Sequence, residues 1–203
     1  YEISVPATKT FTNQVVTFLY LAYRLAGKDT RPLEQIPALM EETLAMTEAQ
    51  IQAITPDINR WNDLYCLGYG ATYPMALEGA LKLKEITYAH CEGMLSTEFK
   101  HGPLSAVTEG FPVLFVAGPD DVPLIVSGIN EVTCRGGRAV AIGQEDARLR
   151  ANASDVITLP AATSEISSLL SVLPLQMLAY HMSVARGYDP DFPRNLSKTL
   201  TVD

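Results

Sequence analysis

The sequence predicts an α/β protein: a three-layer, doubly wound parallel sheet preceded by an N-terminal helical hairpin. From Asn62 onward, short runs of apolar residues alternate with helical patterns, which is typical of a parallel sheet covered by helices on both faces. Before that point, two long amphipathic segments follow each other without a strand between them. A length of 203 residues, 47% of them hydrophobic, suffices for one such domain with a full core and an appendage.

The N-terminal hairpin consists of two predicted helices. The first covers residues 10–26, where apolar side chains from Phe11 to Leu25 recur at helical spacing, and Gly27 closes it. The second opens at Pro32, because proline is favoured in the first helical turn, and continues to about Ile54. We expect this pair to brace the domain that follows.

The sheet domain is predicted to contain four strands and three helices. We expect the sheet to be centred on its first strand, which ends in the loop Gly68-Tyr69-Gly70. Residues 188–203 contain two prolines and no periodicity, which predicts a tail. The predicted strands are Leu64–Leu67, Pro112–Ala117, Arg138–Ile142 and Val156–Leu159, and the predicted helices are Pro74–Ala89, Val122–Cys134 and Ile166–Ala185.

The composition excludes several classes of protein. A formal net charge of −8 argues against a nucleic-acid groove, which needs clustered Lys and Arg, but is compatible with a small anionic substrate. The apolar stretch Val15–Ala26 is too short and too often interrupted to span a bilayer. The cysteines Cys66, Cys91 and Cys134 lack CxxC spacing and predict a reducing compartment, with the cytoplasm as the expected location. No motif indicates a metal or an organic cofactor.

The predicted helix Pro74–Ala89 carries a charged stripe on an otherwise apolar surface. Glu78, Lys82 and Glu85 are separated by four and three residues, which places them within about 60° of each other on the helix. One interpretation is a salt-bridged stripe on a solvated face. The other is a carboxylate and an ammonium held in a cleft, where desolvation and mutual charge tune a general base. Periodicity alone leaves both open, and we expect the Lys82 and Glu85 side chains to point into a cleft.

A second candidate is His101. The pair Gly102-Pro103 ends any helix directly after it, which predicts an imidazole at a helix C-terminus, where the charged form is favoured. We interpret His90 and His181 as structural, because His90 ends a predicted helix and His181 lies inside an apolar one.

The loop Gly68-Tyr69-Gly70 lies between a predicted strand and a predicted helix, where open parallel sheets bind anions. A dinucleotide fingerprint would require a third glycine at a fixed spacing, which is missing. Only Thr72 offers a hydroxyl, so the loop is a poor candidate for a phosphate cradle.

Four stretches of the chain resemble one known family. The residues from Leu77 to Ile86 and from Glu98 to Pro103 resemble the second sugar-isomerase (SIS) domain of the glucosamine-6-phosphate synthases, which are glutamine–fructose-6-phosphate amidotransferases. Pro193–Asp203 resembles the C-terminus of that family, and Val5–Gln14 resembles the segment that closes its first SIS domain. The matches follow the family's order along the whole chain, and the resemblance implies a flavodoxin-like SIS fold.

The resemblance implies a role for each matching residue. Glu85 matches the base that moves a proton between C1 and C2, and Lys198 matches the lysine that forms a Schiff base with the open-chain ketose. His101 matches a histidine that assists ring opening and that reaches into the neighbouring subunit's site, which implies a homodimer. Lys82 matches a lysine that tunes the glutamate. Two further matches line the sugar site: Val5 and Ser197.

The resemblance also implies a division of the chain. Residues 1–60 would be the end of a preceding SIS domain with bracing helices, 61–187 the C-terminal SIS domain and 188–203 a catalytic tail. Because the sequence opens at Tyr1 without an initiator Met or a signal peptide, we expect a segment of a longer polypeptide. The family's glutaminase and its phosphate-holding first SIS domain would be partners within that polypeptide. Ala7 and Pro6 depart from the family, which usually has serine and alanine at these positions.

Two alternatives stay open on the sequence. One is a deglycase of fructosamine phosphates, an SIS enzyme that shares the glutamate and the histidine but has no glutaminase. The tail Leu196-Ser197-Lys198 favours the synthase over it. The other is a non-catalytic SIS module that senses sugar phosphates, and the joint presence of Glu85, His101 and Lys198 argues against it.

Overall fold

The computed structural model of the protein describes residues 5–197, which form one parallel sheet with helices on both faces. The strands are β1 (Asp63–Gly68), β2 (His90–Leu95), β3 (Pro112–Val116), β4 (Arg138–Gln144) and β5 (Asp155–Leu159). The helices are α1 (Lys9–Leu25), α2 (Ile36–Ile58), α3 (Tyr73–Thr87), α4 (Val122–Thr133), α5 (Ala147–Asn152), α6 (Ser164–Leu170) and α7 (Val172–Ala185).

The strand order is β2-β1-β3-β4-β5, and every neighbouring pair is parallel. This is the order of flavodoxin-like doubly wound sheets, in which the chain first winds to one side and then reverses between β1 and β3. The predicted fold class is therefore confirmed. The expected centre of the sheet is wrong, however: β3 occupies the middle, because only β2 lies outside β1.

Both faces of the sheet are buried, as the continuous apolar strands predict. Successive residues of β4 alternate between the two cores: Val140 and Ile142 face α2, α3 and α7, while Ala139 and Ala141 face α4 and α5. The second face is also covered by residues 96–107, whose Phe99 and Leu104 belong to the same core. The three layers of the prediction are thus helices, sheet and helices.

Strand β2 was not predicted, and the prediction that His90 ends a helix is wrong. Helix α3 ends at Thr87, and His90 begins β2 rather than ending a helix. β2 is an edge strand in which Cys91 is buried while His90 and Glu92 are exposed. Its residues therefore alternate between core and solvent and lack the continuous apolar run that marked the other strands.

The long predicted helix Ile166–Ala185 is divided into α6 and α7 at Ser171. Pro174 lacks the backbone N–H that would bond to the Leu170 carbonyl, and its ring crowds that carbonyl, which accounts for the break. The segment Ser164–Ala185 is long and apolar enough to cross a membrane, but 67% of its most apolar window is buried inside the fold. That burial is typical of a core helix.

The two N-terminal helices are present and pack on the sheet domain. Helix α1 and the start of α2 share an apolar cluster with α6, and the rest of α2 lies along α7 and β5. Pro32 lies in a 3₁₀ turn, Arg31–Gln35, that leads into α2. α2 continues to Ile58, beyond the predicted end, and contributes Ile51, Ile54 and Ile58 to the core.

Candidate functional site

The charged stripe on α3 is a buried ion-pair cluster. The Lys82 Nζ atom lies 2.6 Å from Glu85 Oε2 and 3.3 Å from Glu78 Oε1. Only 4% of the Lys82 side chain is exposed, and the Glu78 and Glu85 side chains are 11% and 16% exposed. A solvated surface stripe is therefore ruled out. Of the two side chains expected to point into a cleft, Glu85 lines a cavity and Lys82 is not among the residues that line it.

Close packing against α7 helps to explain this burial. At Gly79 the two helices approach so closely that an added Cβ would lie 2.4 Å from Leu175 Cδ1. Ala76, Ala80 and Leu83 turn towards the sheet core, which places the charged stripe on the side of α3 that faces away from the sheet. On the remaining flank, by contrast, Leu77 and Leu81 are each 41% exposed. This helix thus buries a lysine and exposes two leucines, the reverse of an ordinary surface helix.

Burial and the neighbouring ammonium act in opposite directions on the pKa of the Glu78 carboxyl. Burial raises the pKa of Glu78 above its ordinary value, although the Lys82 ammonium acts in the opposite direction. Glu85 Oε2 is close to the Lys82 ammonium but is buried without an aligned hydrogen-bond donor. One lysine lies between two carboxylates, so the stripe holds one carboxyl group more than it has amines. Coupled acids of this kind are typical of general acid–base sites.

A cavity of about 440 Å³ opens beside the stripe, where the C-terminal segment crosses the end of α3. Glu85 forms part of its wall from α3, and Leu196 forms part from the C-terminal segment. The segment that was predicted as a tail is therefore docked on the domain at least as far as Leu196. The other lining residues are Lys84, Tyr88, Ala89, His90, Arg194 and Asn195.

Two of these lining residues, Tyr88 and Arg194, are not among the site residues predicted from the sequence. The Arg194 guanidinium lies 4.0 Å from the centre of the Tyr88 ring, and the Arg194 backbone N–H donates to the Tyr88 hydroxyl at 2.9 Å. Nothing in the local pattern signals this contact, because it joins positions that are far apart in the sequence.

His101 is not brought to Glu85 within this chain. It is exposed, and it ends the three-residue 3₁₀ turn Phe99–His101, so it does not lie at the C-terminus of an α-helix as predicted. A single turn carries little of the dipole that the prediction invoked. Phe99 belongs to the core on the α4 face, whereas Glu85 is on α3, which covers the opposite face.

The remaining predicted site residues lie near the two ends of the described chain. Ser197 is exposed and directly follows Leu196 of the cavity wall. Val5 is partly buried and lies ahead of α1. The predicted Schiff-base residue, Lys198, lies outside the described residues.

The glycine loop after β1 lies at the switch point between β1 and β3, where doubly wound sheets bind ligands. Gly70 adopts a φ of 53°, which suits glycine and permits the tight turn into α3. The Thr72 hydroxyl is buried and bonded to the Tyr69 and Val116 carbonyls, so it is not free for a ligand. The Asp121 carboxylate lies beside Gly70 and Gly118, and burial together with the Asp120 charge raises its pKa. This arrangement disfavours a phosphate at the loop.

Comparison with known proteins gives consistent results. The family model of the SIS domain matches residues 57–186. A relative from Pyrobaculum aerophilum, named glutamine–fructose-6-phosphate aminotransferase (isomerizing), is 44% identical over 212 residues, covering 100% of this chain and 35% of the relative. A relative of the same name from Pyrococcus horikoshii is 40% identical over 210 residues with the same coverage.

Among solved structures, the C-terminal domain of glucosamine-fructose-6-phosphate aminotransferase from Francisella tularensis is similar with a TM-score of 0.81 and 32% identity. The match covers 90% of this chain and 55% of that chain. The chain therefore spans about 35% of the length of the curated relatives that it matches.

Proposed function

Because the chain belongs to the SIS domain family, we propose that it is the C-terminal isomerase domain of a glutamine–fructose-6-phosphate aminotransferase of the isomerizing type. Its substrates would be fructose 6-phosphate and glutamine-derived ammonia, and its product glucosamine 6-phosphate. The relatives' names favour this enzyme over a fructosamine-phosphate deglycase or a sugar-phosphate sensor.

The observation that carries the proposal is the buried cluster of Lys82 with Glu78 and Glu85, at the edge of an open cavity. A module that only bound sugar phosphates would gain nothing from burying an ammonium between two carboxylates, since desolvation of such charges is costly. An enzyme gains a base whose proton affinity is set by its neighbours.

The chemistry needs such a base. In the proposed reaction a lysine amine adds to the C2 carbonyl of the open-chain ketose and water leaves, which forms an iminium. Ammonia then adds to C2 and the lysine amine leaves, which gives the substrate imine. The C2=N group makes the C1 protons acidic. Glu85 removes one of them while the imine nitrogen takes up a proton. Glu85 then returns a proton to C2 while the C1 hydroxyl loses its own, so that C1 becomes the aldehyde and C2 carries the amine. Lys82 holds the Glu85 carboxylate in place through their ion pair, in which Nζ lies 2.6 Å from Oε2.

The lysine in question is Lys198, which the family resemblance assigns. Leu196 lines the same cavity as Glu85. Two further residues of extended chain span at most about 7 Å, and a lysine side chain adds several ångströms more, so Lys198 is within reach of that cavity. The docked segment thus supports a shared site for Glu85 and Lys198, with Ser197 between the wall and the lysine.

In this proposal, the phosphate group of the substrate is bound by another domain of the polypeptide. At the switch-point loop of this chain, the Thr72 hydroxyl is already hydrogen-bonded to a backbone carbonyl, and Asp121 contributes a carboxylate. Neither group suits a phosphate. A preceding SIS domain of the same polypeptide would supply the anion site, and Val5 would reach the sugar from that side. The division into residues 1–60, 61–187 and 188–203 follows from this arrangement, with the last segment catalytic.

His101 serves the second subunit of a homodimer in this proposal. It lies on the face of the sheet opposite α3, which fits a residue that acts in a neighbouring site. Mixing full-length His101→Ala and Lys198→Ala proteins should restore part of the activity, since one site in the mixed dimer would be intact. Heterodimers without any activity would contradict the shared site.

The direct test of the function uses Glu85→Gln in the full-length protein that carries this chain. Loss of the base should reduce the isomerisation rate by about 10²–10⁴-fold, the usual contribution of a general base. Glutamine hydrolysis should continue, because it takes place in another domain. The matched control is Glu42→Gln, which changes an exposed glutamate of α2 and should leave both rates unchanged. Normal isomerisation by Glu85→Gln would disprove the proposal.

A further inference from the structure

Tyr88 has a backbone conformation that its side chain does not favour. It follows α3 directly and adopts the left-handed conformation with φ of 60° and ψ of 15°. Glycine is the usual residue at this position after a helix, with asparagine next, because other side chains clash with the backbone there. Strain of this kind persists where the surrounding structure uses the side chain.

The Tyr88 side chain contacts the C-terminal segment through both its ring and its hydroxyl. Its ring packs against Tyr188, with the ring centroids 4.8 Å apart, and the Arg194 guanidinium lies 4.0 Å from its centroid. Its hydroxyl accepts a hydrogen bond of 2.9 Å from the Arg194 backbone N–H. One residue at the end of α3 therefore makes three contacts of different kinds with the segment that leads to Ser197.

These contacts fix the segment next to the proposed base. Tyr88 follows Glu85 by less than one helical turn, and both residues line the same cavity together with Arg194 and Leu196. Tyr88 is only partly buried, so a role in the core does not explain why a strained tyrosine occupies this position.

We propose that Tyr88 is a positioning residue, which clamps the segment Tyr188–Leu196 beside Glu85 and thereby anchors the chain just ahead of the proposed Schiff-base lysine. This inference rests on the proposed function, because only there does a reacting group follow the segment along the chain. Tyr88 itself touches no reacting atom. Its effect on the reaction would pass through the position of the segment.

The first measurement follows the segment and not the reaction. In the full-length protein, hydrogen–deuterium exchange of peptides that cover residues 187–197 is compared between wild type, Tyr88→Phe and Tyr88→Asn. Phenylalanine keeps both ring contacts and loses the hydroxyl, so exchange at Arg194 should rise about fivefold, the equivalent of one hydrogen bond. Asparagine suits the left-handed backbone but removes all three contacts, so protection of the segment should be lost. The matched control is Tyr20→Phe, at an exposed tyrosine of α1.

The second measurement separates positioning from structure. Tyr88→Asn should lower kcat for isomerisation at least about tenfold, since a displaced reacting group is costly, and should leave KM for fructose 6-phosphate within about twofold. Tyr88→Phe should recover most of kcat. Because asparagine relieves backbone strain, Tm should not fall in parallel with kcat.

Two results would overturn the clamp: unchanged exchange of the segment in Tyr88→Asn, or a released segment with wild-type kcat. Normal isomerisation by Glu85→Gln is a separate outcome that contradicts the proposed function. The exchange measurement judges the clamp without reference to activity, so the two failures are distinguishable.

Discussion

Replacing Lys82 with methionine removes the only cation from the buried stripe while keeping a side chain of similar length. Glu78 and Glu85, which lie 3.3 and 2.6 Å from the ammonium, would then face each other without a counter-ion. The side chains keep only 11% and 16% of their exposure, so water cannot replace the lysine fully. We expect a large loss of stability at neutral pH.

The magnitude follows from the burial of the pair. Removing one partner of a buried ion pair costs about 3–5 kcal/mol, because the charge that remains is not compensated. The residual exposure of the two carboxylates places the expected free-energy change near the lower limit, at about 3 kcal/mol. Replacing the whole stripe, as in Glu78→Gln/Lys82→Met/Glu85→Gln, should recover most of this loss, since no buried charge is left.

The loss should also depend on pH in a defined direction. Burial already raises the pKa of Glu78 in the folded protein, and removal of the ammonium takes away the group that lowers it. A carboxyl whose folded pKa exceeds its unfolded value binds more protons when folded, so stability falls as pH rises above about 4.3. The deficit of Lys82→Met should therefore be smaller at pH 5 than at pH 7.5.

Urea unfolding at the two pH values measures both effects. The matched control is Lys28→Met, which breaks an ion pair with Glu165. That pair has the same 3.3 Å separation as Lys82 and Glu78, but 58% of the Lys28 side chain is exposed. This exposed pair should contribute at most about 1 kcal/mol. If Lys82→Met and Lys28→Met lower the free energy of unfolding by the same small amount at both pH values, the charges of the stripe are not coupled by burial as described above.

Two further predictions concern the packing around the site. Gly79→Ala should destabilise the protein by about 1 kcal/mol, because its Cβ would meet Leu175 at 2.4 Å and overpacking outweighs the gain in helix propensity; a rise in the unfolding midpoint would contradict the close helix contact. Cys134 is exposed and should react with a thiol reagent in the native state, whereas Cys66 and Cys91 are buried, with burial raising the pKa of Cys91 to about 12. Thiol titration should count one fast group per chain and two more after unfolding, and three fast groups would contradict the buried positions of β1 and β2.

The core of the fold was predictable because its signals are local. β3 and β4 are continuous apolar runs, and β3 is followed by a helix, α4, with a clear apolar period. The short helix α5 after β4 was not predicted, because its six residues are too few to show a period. β2 was not predictable by the same rule, since an edge strand with exposed His90 and Glu92 carries half the apolar signal. The division of the last long helix had a visible cause in Pro174, which the periodicity of its apolar residues concealed.

The candidate site was predictable in part. The spacing of Glu78, Lys82 and Glu85 placed them on one stripe, but whether that stripe is buried depends on α7, which docks at Gly79 from a distant part of the sequence. The positive φ of Tyr88 has no sequence signal at all, because tyrosine is a poor residue for that conformation.

The central claim, that the C-terminal lysine and Glu85 share one site, is tested most directly by trapping the imine. Borohydride is added to the full-length protein with fructose 6-phosphate, and the reduced sugar adduct is located by peptide mass spectrometry. The account predicts an adduct on Lys198 that disappears in Lys198→Arg, in which the charge remains and the nucleophile is lost. An adduct on Lys82 or Lys9, or none on any lysine during turnover, would contradict it.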